Sequence, residues 1–115
     1  SAHIEALRRL PRRVTTTAEG VSVLVCHSCP SGQEDGLYED TPRGRFQRER
    51  ECANVDIVAC GMTHAAFSID VDGTLFVNPG SLGMSPDGRP RGTFAIVDTD
   101  ATPFRAEAVA VAYGG

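Results

Sequence analysis

Val55-Asp56-Ile57-Val58-Ala59-Cys60-Gly61-Met62-Thr63-His64 passes from a short apolar run into a polar loop that ends on a histidine. Such a run, bounded by loop residues, reads as a buried strand. Downstream, Phe67 to Val71 and Leu75 to Val77 flank Asp72-Gly73, a two-residue hairpin signal. Upstream, Val21 to Cys26 reads as a second buried strand, and it too runs into a histidine loop, Cys26-His27-Ser28-Cys29-Pro30. Loops just beyond strand ends hold backbone firmly while leaving side chains accessible, so they are favoured places for ligand sites.

Ahead of that strand, Val14 to Thr17 is β-branched and Glu19-Gly20 supplies a turn, which predicts a hairpin. Ile4, Leu7 and Leu10 recur at helical spacing until Pro11 stops the pattern, so the chain begins inside or just before a helix. His27 to Pro42 is polar and rich in Gly, Pro, Asp and Glu, a loop of a length that is uncommon unless functional or mobile. Arg43 to Cys52 is expected to be a short helix capped by Asp40 or Thr41. Residues 78–92 form another loop, and Gly92 to Asp98 and Phe104 to Tyr113 are the last strands.

With 115 residues the chain is one domain, 1–115, able to bury a modest core. Its seven aromatic residues include no Trp, so Val, Ala, Leu and Ile must build that core. The net charge of −4, from 15 acidic and 11 basic residues, argues against nucleic acid as the main partner. All the basic residues are Arg, which reads as a coding bias. No apolar run reaches the roughly 20 residues a bilayer demands. Without a signal-like start, four cysteines are expected to be reduced thiols in the cytoplasm.

A third turn follows a strand directly: Asn78-Pro79-Gly80-Ser81, rigid because Pro fixes one φ and Gly permits a positive one. The ordered trio His27-Ser28-Cys29-Pro30, Gly61-Met62-Thr63-His64 and Asn78-Pro79-Gly80-Ser81 resembles the calcineurin-like metallophosphoesterases, in particular their small prokaryotic phosphodiesterase branch. The Asp72-Gly73 hairpin and the strand Thr93 to Val97 fall where that family has them, and the likeness spans roughly residues 5–100. It implies a mixed α/β, strand-rich chain: the C-terminal half of a four-layer α-β-β-α, two-sheet sandwich. It implies hydrolysis of a phosphoester substrate at a pair of divalent cations (Mn, Fe, Zn or Ni), with His27 ligating one and His64 the other. Gly61, Thr63 and Asn78 would support the loop, with Asn78 orienting a neighbouring histidine.

The family's Asp-x-His, Gly-Asp-x-x-Asp and Gly-Asn-His-Asp/Glu motifs are absent from the chain. They would supply the bridging carboxylates, so the expected partner is a missing N-terminal half, and the chain alone is expected to be inactive. Its absence would leave an exposed sheet edge open to homo-oligomerisation. Met62 stands where the family has a ligating histidine, a soft thioether unsuited to hard cations, and is most simply an apolar filler. Ser28 and Cys29 replace Gly and Ser beside His27. Two other readings remain. One is a degenerate phosphoesterase fold kept as a binding or scaffold module. The other is a structural zinc site, since Cys26 and Cys29 have C-x-x-C spacing and Cys52, Cys60, His27 and His64 could complete it. His3 and the acidic run Glu34, Asp35, Glu39 and Asp40 read as solvated.

Overall fold

The computed structural model describes residues 2–82 and 91–112. Among them are two helices, α1 (Ala2–Arg8) and α2 (Arg43–Ala53), and seven strands: β1 (Arg13–Ala18), β2 (Val21–Cys26), β3 (Ile57–Cys60), β4 (Phe67–Val71), β5 (Thr74–Asn78), β6 (Arg91–Asp98) and β7 (Arg105–Ala112). The architecture is mixed α/β and strand-rich, with a five-stranded sheet in the order β1-β2-β3-β5-β4 and a two-stranded sheet β6-β7.

Both expected tight hairpins form, β1-β2 and β4-β5. Their turn residues all take positive φ: Glu19 at 52° and Gly20 at 80°, Asp72 at 50° and Gly73 at 89°. Two consecutive residues of that hand match the twist of the paired strands, which explains why Asp-Gly was a reliable signal. The centre of the sheet is parallel, β2 beside β3 beside β5. Most of it is covered on both faces, so these strands are mainly apolar rather than strictly alternating.

On one face Leu24, Cys26, Val58, Cys60 and Phe76 meet α2 and the long loop through Phe46, Leu37 and Cys29. Phe46 anchors the helix, its ring edge-on to Phe76 at 5.2 Å and to Phe67 at 6.0 Å. On the other face Val21, Ile57, Leu75 and Val77 are covered by Ala95, Val97, Phe104 and Ala106 of the second sheet and its connection. The described residues therefore stack helix on sheet on sheet. No residue of α1 is buried, so it adds no fourth layer here.

Several boundaries differ from those expected. Neither Asp40 nor Thr41 caps α2: the cap position is Pro42, with no side-chain capping bond. Thr41 Oγ1 is spent on the Tyr38 N–H at 2.8 Å, closing a turn before the helix. The strand expected from Val55 begins at Ile57, because Asp56 is engaged sideways with Ser22, its carboxylate accepting from the Ser22 N–H and hydroxyl at 2.9 and 3.0 Å. Of the 78–92 loop, residues 83–90 lie outside the described residues, as does Tyr113 at the end of the last strand.

Candidate functional site

β2 and β3 run parallel with Cys26 beside Cys60 in register, so the two histidine loops leave the sheet side by side. The Gly61 N–H donates to the His27 carbonyl at 2.9 Å, tying the loops together at their roots. His27 is exposed and His64 half-buried. A recess of about 240 Å³ opens here, walled by His27, Gly61 and Pro79 over a floor of Val25 and Ala59. Val25 shares a strand face with Val21 and Val23 but stays 47% exposed, uncovered by the second sheet.

The backbone from Gly61 to His64 is strained. Met62 has φ 73° and His64 φ 62°, left-handed values that non-glycine residues adopt rarely and at a cost of about 1 kcal/mol or more each. Asn78, 1% exposed, over-determines the loop. Its Nδ2 donates to Thr63 Oγ1 at 3.0 Å and to the Gly61 carbonyl at 3.4 Å, while its Oδ1 accepts from the Gly80 N–H at 2.9 Å. Asn78 thus orients the histidine loop through Gly61 and Thr63 rather than through a histidine ring, a correction to the expected contact. Met62 packs against Gly36: a β-carbon there would stand 2.6 Å from Met62 Cε and 2.7 Å from Thr63 Cγ2. The thioether fills space under the long loop, which only a glycine at 36 allows.

A second assembly fixes the loop after His27, and its key residues escaped notice in the sequence. The Glu49 carboxylate accepts from the Ser31 N–H and hydroxyl, both at 2.8 Å, and from Arg45 Nε at 2.9 Å. Arg45 also forks onto Asp35, at 2.9 and 3.0 Å, and donates to Cys29 Sγ at 3.5 Å. Burial would raise the Glu49 carboxyl, but the two Ser31 donors and Arg45 together hold it below the usual glutamate range. The Arg45 hydrogen bonds likewise depress Asp35, so Asp35 is an ion-pair partner rather than merely solvated. One signal could have found this: Glu49 sits three residues after Phe46 and four before Ala53, on the buried stripe of α2.

The cysteines do not form the tetrahedral zinc site that their spacing suggested. Cys26, Cys29 and Cys60 donate weakly to the carbonyls of Ala59, Gln33 and Val77, and Cys52 is exposed on α2. Among the described residues no three His, Cys, Asp or Glu side chains converge as a metal would need. Burial above all pushes the Cys26 thiol up to about 11 and the Cys60 thiol up to about 12, leaving both neutral and poor as ligands or nucleophiles.

Fold and strand-end loops together define a phosphoesterase-type domain. Residues 1–102 match the family model of the calcineurin-like phosphoesterase superfamily domain, and the chain belongs to that family. Among solved structures, it is similar to hypothetical protein PH1004 from Pyrococcus horikoshii OT3, with 22% identity and a TM-score of 0.79 over 96% of this chain and 44% of that one. It is similar to a metallophosphoesterase from Sphaerobacter thermophilus, with 21% identity and a TM-score of 0.67 over 99% of this chain and 53% of the other. It also resembles Vps29 from Entamoeba histolytica, solved in complex with zinc, with 19% identity and a TM-score of 0.58 over 89% and 62% of the two chains. The chain therefore spans about half the length of the first two. No curated protein matches it. No helix among the described residues is long and apolar enough to cross a membrane.

Divalent-metal binding is general in this family, but the residues described here do not make up a two-cation centre. They offer the imidazoles of His27 and His64, and no third ligand-type side chain joins either in a cluster.

Proposed function

We propose that this chain is the histidine-bearing part of a metal-dependent phosphoesterase, its donor set completed by carboxylates from outside the described residues. The observation that carries this reading is the pairing of His27 and His64 on neighbouring parallel strand ends, joined by the Gly61 N–H to His27 carbonyl bond. The family match supports hydrolysis of a phosphoester as the reaction class. In this reading Asn78 and the Arg45–Glu49 pair hold the two loops, so that their histidines project from a fixed backbone. Such pre-ordering lowers the cost of assembling a site.

The test is hydrolysis of a chromogenic phosphodiester by the intact protein with Mn supplied. His27→Ala and His64→Ala should each abolish it, and wild-type rates in both variants would overturn the reading. A second reading, a phosphoesterase fold retained as a binding or scaffold module, is favoured by Met62, whose side chain is committed to packing under Gly36. It predicts a silent wild-type protein even when all carboxylate donors are present.

A further inference from the structure

We propose that a recess on the outer flank of His27, formed by Arg12, Arg13 and the Ser28–Gly32 segment, is an anion subsite that takes a further phosphate group on the substrate's leaving portion. The inference rests on reading His27 as part of the reacting end.

The recess has a volume of about 490 Å³, within the range of small-molecule sites, and His27 and Ser28 contribute to its wall. β1 and β2 pair with Arg13 opposite Cys26. Arg12 directly precedes that pair and His27 directly follows it, and both line the recess. The edge strand β1 thus begins at the recess, with Arg13 as its first residue. Arg13 is anchored, its Nη1 donating to the Pro30 carbonyl at 3.1 Å, which leaves most of its five donors for a ligand. Arg12 makes no hydrogen bond or ion pair among the described residues. Elsewhere Arg43 and Arg45 meet carboxylates at 3.1 and 2.9 Å. The carboxylate lining this recess is Glu34, which is exposed and pairs with neither arginine. Two permanent cations against one solvated carboxylate select an anion, and guanidinium forks match phosphate oxygens in pairs. The ligand class is a small phosphodiester whose leaving group carries a second phosphate, a nucleotide-like substrate rather than one with a neutral leaving group.

The probe is inorganic pyrophosphate, titrated into the 115-residue chain at low salt with EDTA present, followed by calorimetry and by backbone amide shifts. Saturable binding is expected, with the largest shifts at Arg13 and Ser28 to Gly32. Arg12→Gln/Arg13→Gln should weaken it by about tenfold or more. His27→Ala should change it less than threefold or so, since no metal is involved. Arg12→Gln alone leaves the Arg13–Pro30 anchor in place and should still weaken binding by about threefold, which separates charge loss from loop unfolding. No binding to the wild-type chain, or equal binding to the Arg12→Gln variant, would overturn the proposal. Hydrolysis does not enter this measurement: lost anion binding with intact hydrolysis removes only the subsite, and the reverse removes only the functional reading.

Discussion

The backbone N–H and the hydroxyl of Ser31 both donate to the Glu49 carboxylate at 2.8 Å, although only 2% of Glu49 is exposed. A buried carboxylate is tolerable only when its lone pairs are filled, and here a loop residue and a helix arginine fill them. α2 thereby holds the segment that follows His27.

Glu49→Ala should cost about 3 kcal/mol, because it strands the Ser31 N–H and one face of Arg45. Glu49→Gln tests the charge. The folded carboxyl lies below its ordinary range, so its stabilisation is complete above that range and is lost as pH falls toward the folded value. Urea midpoints from neutral pH down to about pH 3 should fall more steeply for wild type than for Glu49→Gln. Identical slopes would show that Glu49 does not carry the acid sensitivity.

Gly36→Ala should destabilise by about 2 kcal/mol, from a positive φ of 65° and from contact with Met62 and Thr63. Combining it with Met62→Ala should recover part of that loss, since the two sites share one space. Simple additivity in denaturant midpoints would mean the two side chains do not compete.

Asn78→Ala should lower stability by about 1–3 kcal/mol, removing the buried amide that pairs Gly61, Thr63 and the half-buried Gly80 N–H. Amide exchange at Gly61 to Ala65 should quicken more than in the Phe46 region of α2. Uniform acceleration throughout would point to global destabilisation instead of a freed loop.

Cys52, exposed on α2, should react with an aromatic disulfide within minutes near neutral pH, while Cys26 and Cys60 resist until the chain unfolds. Their folded pKa values, about 11 and about 12, lie above those of unfolded thiols. Ionisation therefore favours the unfolded chain as pH rises above roughly 8.5, and stability should decline there. Rapid labelling of all thiols in native buffer would contradict this burial.

The hairpins, the buried strands and the placement of His27, His64 and Asn78 at strand ends were legible because they rest on local chemistry: turn residues, β-branching and unbroken apolar runs; that β2, β3 and β5 run parallel was not. The cap of α2 was misplaced because Thr41 had a competing use, closing a turn onto Tyr38. Cysteine spacing suggested a cluster, but β2 and β3 turn Cys26 and Cys60 toward carbonyl partners in the core. Glu49 passed as an ordinary helix glutamate, since its partner Ser31 is 18 residues away.

By itself the sequence determined the family and the strand-end loops on which His27 and His64 stand. Each depends on residue types within a few positions of one another. Tertiary structure alone decided that Met62 and His64 take left-handed backbone, that Asn78 grips Gly61 and Thr63, and that Arg45 and Glu49 hold the His27 loop. Those outcomes depend on which distant groups compete for each donor and each cavity, and that competition is settled only when the layers pack.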